Sequence, residues 1–585
     1  MRKRARILVP LLAAALAAAA CSGGGATPPP QGSQGASPPA GNPGNPGSLP
    51  RNETLYTTGT QWGPPAHFNP IREGDHATGT KGLVYETLFH YDPNAAKLVP
   101  WLAESGSWTG DTVYEAKIRS GVTWSDGKPL TAKDVAFSYG LGKIETISFH
   151  NLFDWLKSAE AVDDRTVRFT FSKANYQEWD FNLYSRVIVP EHIWAGRSEE
   201  EVLNGANDKP VGSGAYAYQS HDQDRVVYVR RDDWWGRAAL GKEPKPRYIV
   251  DVATPSNEVA MGMLLQKGLD LSNNFLPGVA NLVKGNFGIT TFYDQPPYML
   301  SANTAWLVPN TTRKPMDDPA FRKALAASVD TKKIVEGVYG NLVKVASPTG
   351  LLPQWEQFVD QAVVGAAGFA FDTAKARKTL ADAGYRDRDG DGLVENKDGS
   401  KIKLSLIVPT GWTDWMEAAR TIATGAKAAG IDVTPDFPDF NALVEKRSKG
   451  DFDLLVNNER QLSNTPWTYY DYVFQLPVNK TQNTVNFGRY ENKRAWELVQ
   501  QLNQVRTDDV AGMKTIISQI QRIHLDEMPI IPLWYNGLWA QSSVASWKNW
   551  PSAAQGAPKS APVMWRHWLE LGGFETLTQI QPAGS

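Results

Sequence analysis

Six residues in one short run are spaced to hold a cation. In Asp387-Arg388-Asp389-Gly390-Asp391-Gly392, carboxylates occupy loop positions 1, 3 and 5 and a glycine occupies position 6. Leu393 follows with a backbone carbonyl to offer, Glu395 stands at position 9 and Asp398 at position 12. Hard oxygen donors around a sharp glycine turn are what Ca²⁺ requires, here as a structural clip rather than a catalytic metal. Position 12 usually carries a bidentate glutamate, however, and no helix signal follows. The same run therefore also reads as a polar hairpin loop between a helix ending near Tyr385 and a strand at Leu404.

Catalytic patterns are missing. Gly74-Asp75-His76-Ala77-Thr78-Gly79-Thr80-Lys81 approaches the spacing of a phosphate-cradling loop, but its lysine falls one position late and Gly82 follows it. Gly212-Ser213-Gly214 lacks the glycine two residues before the serine that a nucleophile elbow needs, and reads as a tight turn. The eight histidines show no zinc-protease spacing, and His524 falls among Ile517, Ile520 and Leu525 as a packed helix residue would. Asp163-Asp164 reads as a turn rather than a glycosidase pair. No enzymatic activity is expected.

Binding chemistry is more evident. Tryptophans lie among Asn, Gly and Pro at Gln61-Trp62-Gly63, at Gly411-Trp412-Thr413-Asp414-Trp415 and at Trp534-Tyr535-Asn536-Gly537-Leu538-Trp539, and neutral amides recur at Asn273-Asn274, Asn303 and Asn457-Asn458. An aromatic face packs on the C–H face of a sugar ring, and an amide can donate to or accept from each hydroxyl at its edge. These residues are thus candidates for a neutral polyhydroxylated ligand; a peptide would need fixed charges for its termini. The alternative reading of each cluster is core packing, and that is the reading for Trp124, Trp155, Trp194, Trp234 and Trp235.

The elements that must position these groups belong to a long chain. Its 585 residues, 42% apolar and 21% charged, call for two large domains or more. A single cysteine excludes an internal disulfide, a cysteine zinc site and an iron–sulfur cluster. Arg2, Lys3, Arg4 and Arg6 precede an apolar run of 14 residues, Ile7 to Ala20, which is too short for a bilayer span of about 20 residues and reads as an export signal. Without residues 1–20 the net charge falls from −2 to −6, an acidic balance that argues against nucleic-acid binding. Ala18-Ala19-Ala20-Cys21 resembles a lipoprotein box, which makes Cys21 the expected lipid anchor. Residues 21–52 form a tether: from Ser22 to Pro50, 16 of 29 residues are Gly or Pro. The expected product is a monomeric globule outside the cytoplasm, lipid-anchored at the cell membrane or periplasmic, meeting the membrane through that lipid alone.

Within the globule, Val113–Ile118, Thr166–Phe171 and Val226–Arg230 alternate as half-buried strands do. Thr131 with Asp134 opens a helix, and Asp318-Pro319 opens another with Phe321, Leu325 and Val329 on one face. Strands at Leu404–Val408 and Phe452–Val456 flank a helix from Thr413 to Gly430, which points to a partly parallel sheet. The class is mixed α/β, and Met528 to Trp539 reads more like the first domain than the second.

WSDGKPLTAKD (124–134), PVGSGAY (210–216), RRDDWWG (230–236), DDPAFRKALAASVD (317–330) and PIIPLWYNG (529–537) resemble family 5 of the extracellular solute-binding proteins, receptors of ABC importers. LYTTGTQWGPP (55–65), LDLSNNFLPGV (269–279), PPYMLSANTAW (296–306) and PTGWTDWM (409–416) are similar to its cello-oligosaccharide-binding branch. The resemblance implies a two-lobed clamp with an extra subdomain in the first lobe. Lobe I would span 53–300 and 529–585 and lobe II 301–528, with crossings near Met299–Ala302 and Glu527–Ile530. It implies cello-oligosaccharides or related β-glucan fragments as ligand, delivered to an ABC permease. Asp471 lies in the region where peptide-binding members hold a ligand's amino terminus, so an oligopeptide or dipeptide ligand is the alternative.

Overall fold

The computed structural model describes residues 49–59, 63–72, 76–458, 462–482, 485–555, 561 and 571–584. The export signal, Cys21, nearly all of the tether, and Trp62 lie outside the described residues.

Two mixed sheets organise the globule. The first has seven strands in the order Ile289–Thr290, Gln541–Ser543, Leu271–Ser272, Thr54–Thr58, Tyr248–Val252, Arg225–Arg230 and Tyr216–His221. Thr54–Thr58 is central, runs parallel to both neighbours and is buried along its whole length, as a strand covered on both faces must be. The second sheet has six strands, in the order Lys344–Val345, Ile531–Leu538, Leu300–Pro309, Leu454–Asn457, Leu404–Ile407 and Val433–Asp436. In it Leu404–Ile407 runs parallel to both Val433–Asp436 and Leu454–Asn457, with the helix Thr413–Ala428 as a crossover, which matches the strand–helix–strand order of the sequence.

A four-stranded antiparallel sheet, Ala103–Trp108, Val113–Ile118, Thr166–Phe171 and Leu156–Ala161, adds a subdomain to the first lobe. Its inward side chains alternate along Thr166–Phe171 and meet the fully buried Trp179 through Phe169 and Phe171. One apolar core runs from here to the seven-stranded sheet and takes in Trp124, Trp155, Trp194, Trp234 and Trp235. A second core lies in the other lobe around Trp306, Tyr469 and Ile517. Two cores under two sheets are the physical content of the mixed α/β, two-lobed fold.

The chain passes between the main sheets twice. It leaves the first after Ile289–Thr290, enters the second at Leu300, and returns between Leu538 and Gln541. The return comes one strand later than Glu527–Ile530. Ile531–Leu538 is held inside the second sheet by antiparallel pairing with Leu300–Pro309, from Leu300 opposite Leu538 to Leu307 opposite Ile531. Its apolar composition reflects burial of every residue in the strand rather than membership of the first lobe.

The approach to that strand is fixed by Arg322, on the helix Pro319–Ser328 that Asp318 caps. Its guanidinium is 2% exposed and donates to the carbonyls of Glu527, Met528 and Met316 at 2.9, 3.0 and 2.6 Å. The carbonyls of Glu527 and Met528 sit where the helix Val510–Glu527 ends, at Met528, which adopts φ 49°. Arg322→Met removes the donors while keeping most of the side-chain length. Urea unfolding should show a loss of about 3 kcal/mol, the desolvation cost of stranded carbonyls; an unchanged midpoint would show that water replaces the guanidinium.

Candidate ligand-binding site

The site forms where strand ends of the first sheet meet the second passage. Asn273 follows Leu271–Ser272 and donates its backbone N–H to the Thr58 carbonyl at 2.8 Å. Beside it Gly59 adopts φ +124°, and a Cβ there would stand 2.5 Å from the Asn273 backbone, so only glycine lets the two segments approach. The Asn273 amide donates to the carbonyl of Trp539, within the return passage. Carboxyl ends of parallel strands are thereby joined to the segment that links the lobes, a common place for ligands in α/β sheets.

Tyr339 enters from the second lobe, directly after a π-helical segment, Ile334–Val338. Its ring lies nearly parallel to Trp539, with centroids 6.2 Å apart and 17° between planes, and 5.2 Å from Trp534. Phe275 meets Tyr339 and Trp539 edge-on at 5.5 and 5.3 Å. The Tyr339 hydroxyl donates to Asp414 Oδ2 at 3.0 Å. Burial raises Asp414 to about 6, opposed by that hydrogen bond, and burial likewise pushes the Tyr339 hydroxyl well above its usual value.

Amides border these rings. Asn536 lies two residues from Trp534 on the same face of its strand and directly opposite Asn303. The Asn536 side-chain oxygen is buried without a hydrogen-bond partner among the described residues. Rings and amides from both lobes thus converge, with Trp539 half-exposed and the others buried between the lobes, and aromatic faces and amides of this kind can stack sugar rings and bond hydroxyls.

Not every candidate from the sequence reaches this place. Asn273, Asn303, Trp534, Asn536 and Trp539 are brought together. Asn274 instead closes a network with Ser272 and Asn257 inside the first lobe. Asn457 donates to the Tyr472 hydroxyl and lines a small cavity of about 10 Å³ with Val308, Phe487 and Pro529, which shares no lining residue with the four rings. Asn458 follows it, half-buried. Trp415 is buried edge-on against the half-exposed Trp412, 4.9 Å away. Phe275, Tyr339 and Asp414 are the additions from the structure. Tyr339 stands between glycines in Gly337-Val338-Tyr339-Gly340, a weak signal, and Asp414 lies inside a stretch that draws attention for its tryptophans.

The cation loop is also gathered. One carboxylate oxygen from each of Asp387, Asp389, Asp391 and Glu395 falls within 4.8 Å of the others, and Glu395 is 3% exposed. Asp398 stands apart and accepts from the backbone and hydroxyl of Ser400 at 2.9 and 2.7 Å. Leu393 donates its N–H to Asp391 at 2.9 Å. The Lys401 ammonium lies 2.6, 2.7 and 2.7 Å from Asp389, Asp391 and Glu395, and its presence holds Asp391 below the usual carboxylate range.

Comparison with known proteins gives a consistent answer. A family model described as bacterial extracellular solute-binding proteins, family 5 middle, matches residues 97–480. A Thermotoga maritima protein, described as the periplasmic oligopeptide-binding protein of an oligopeptide ABC transporter, is 41% identical with a TM-score of 0.88, the match covering 91% of this chain and all of that one. Its structure with mannohexaose bound matches at 41% identity and TM-score 0.85, over 92% of this chain and all of that one. Oligopeptide-binding protein AppA of Bacillus subtilis is 26% identical over 487 residues, 81% of this chain and 84% of the relative.

The Asp414 carboxyl has a measurable signature. Its pKa rises from 3.8 to about 6 on folding, so the folded state holds the proton more tightly and stability falls as pH rises through that interval. Asp414→Asn keeps an acceptor for Tyr339 and removes the titration. The stability of the variant relative to the parent should rise between about pH 4 and pH 6 and stay level above; a difference independent of pH would place the carboxylate in water.

Proposed function

The chain belongs to the bacterial extracellular solute-binding proteins of family 5, receptors rather than enzymes that deliver a solute to an ABC permease, and on that premise we propose that its solute is a neutral oligosaccharide. The observation that carries this reading is the convergence of Phe275, Tyr339, Trp534 and Trp539 with Asn273 and Asn536. Stacked aromatic faces and amide edges suit a ligand whose polarity is all hydroxyl. The 41% identical Thermotoga maritima protein that holds mannohexaose supports the same class. Cello-oligosaccharides and related β-glucan fragments are the expected members from the sequence, with manno-oligosaccharides added by that relative.

Capture follows from the two-lobed fold. Phe275 and Asn273 belong to the first lobe, Tyr339, Trp534 and Asp414 to the second, and a ligand among them touches both. It stabilises the closed arrangement by its greater affinity for it and so presents a closed receptor to the permease. Cys21 is the proposed lipid attachment point. An oligopeptide ligand is the second reading, favoured by the 26% identity to AppA and by Asp471, buried on the helix Trp467–Phe474.

The test is a thermal-shift screen of gluco-, manno- and xylo-oligosaccharides against short peptides. Hexose oligosaccharides should raise the melting temperature, by the equivalent of about 2.7 kcal/mol at a hundredfold excess over Kd. A shift with peptides alone overturns the sugar reading. Trp539→Ala should weaken sugar binding roughly thirtyfold, as loss of a central stacking residue worth about 2 kcal/mol does.

We also propose that the loop at Asp387–Glu395 holds Ca²⁺ as a structural clip. Four clustered carboxylates against one ammonium support it, since a divalent ion neutralises more of their charge than Lys401 does. Calcium should raise the melting temperature and chelator lower it, with a larger calcium shift in Lys401→Met. Indifference to both in each protein assigns the cation position to Lys401.

A further inference from the structure

A second aromatic surface adjoins the four rings. Trp412 and Phe440 stack with centroids 5.9 Å apart and 24° between planes. Phe440 is 52% exposed and Trp412 half-exposed, while Trp415 packs beneath. An exposed phenylalanine stacked on a tryptophan is not core packing.

The support under this pair is rigid. Trp412 immediately precedes the helix Thr413–Ala428, which follows the strand Leu404–Ile407; Phe440 opens the helix Phe440–Lys449, which follows Val433–Asp436. Both rings therefore project from the carboxyl ends of parallel strands. The two loops are tied by the Thr410 N–H to the Pro438 carbonyl at 2.9 Å, and Asp439 caps the second helix through Ala442 at 3.0 Å. Exposed Thr410, Thr413 and Asn441 border the rings with hydroxyl and amide groups. Two residues after Trp412, Asp414 accepts from Tyr339, so one helix N-terminal turn carries both a ring of the outer pair and the carboxylate that holds an inner ring.

We propose that Trp412 and Phe440 form an outer subsite that receives the distal sugar units of a long oligosaccharide and sets the receptor's preference for chain length. The proposal rests on the oligosaccharide reading above and deepens it. The inner rings hold the proximal units and require lobe closure. The outer pair belongs wholly to the second lobe and offers a preformed stacking face, with amide and hydroxyl groups for the ring edges.

Calorimetric titration of the full chain with cellohexaose, mannohexaose and the matching disaccharides tests this. Trp412→Ala and Phe440→Ala should each weaken the tighter hexasaccharide about tenfold, the loss of one stacking face, and leave the disaccharide within about twofold. Phe440→Tyr, which keeps the ring, should restore hexasaccharide affinity. Equal losses for long and short sugars, or hexasaccharide affinity unchanged in both alanine variants, overturn the subsite while leaving the sugar reading in place. A parent protein that binds none of these sugars overturns both. Phe440 is exposed, so its variants should keep the parent melting temperature within a few degrees.

Discussion

The pairing of Leu300–Pro309 with Ile531–Leu538 is the interaction on which the other arrangements depend. These strands lie more than two hundred residues apart in the chain, and their hydrogen bonds run from Leu300 and Leu538 to Leu307 and Ile531. Both passages between lobes are continuous with this pair, so its register decides where each lobe begins. It also sets Asn303 opposite Asn536 and Ala305 opposite Trp534. A slip of one residue would turn Trp534 and Asn536 away from Tyr339, because successive side chains of a strand point to opposite faces. Arg322 secures one end of the pair from below, by binding the carbonyls that lead into it.

The site built on this pair joins two opposed demands. Large aromatic faces favour burial, whereas amides and the Asp414 carboxyl favour water. The conflict is partly relieved by local bonds, Asn273 to the Trp539 carbonyl and Tyr339 to Asp414. The oxygen of Asn536 is not relieved within the described residues. A buried acceptor without a donor carries a desolvation cost that a hydroxyl-bearing ligand removes on binding. A ligand hydroxyl donating to this oxygen, as the oligosaccharide proposal has it, would offset that cost.

Much of the secondary structure was legible in the chain. Alternation identified Val113–Ile118 and Thr166–Phe171, and the Thr131 and Asp134 pair forms a capping box. The helix from Thr413 ends at Ala428, close to its expected end. These features are local: side chains and backbone within a turn or a strand decide them. Ile531–Leu538 was misplaced because burial in either lobe leaves the same apolar pattern. Membership of a sheet depends on a partner strand that composition does not name. The same limit separated Asn457 from Asn303, since both are asparagines on strands of one sheet and only their neighbours, Tyr472 for one and the Asn536 strand for the other, tell them apart.

Residue types and spacings alone gave the lone cysteine, the class of fold and the acidic loop, and raised the expectation of an export signal and of aromatic and amide binding chemistry. All are properties of short segments or of composition. Which of those groups meet was settled by long-range pairing: Phe275, Tyr339 and the segment that carries Trp534 and Trp539 come from three distant stretches. Contacts of that kind arise when apolar burial and strand register bring remote segments together, and no spacing along the chain encodes the distance between them.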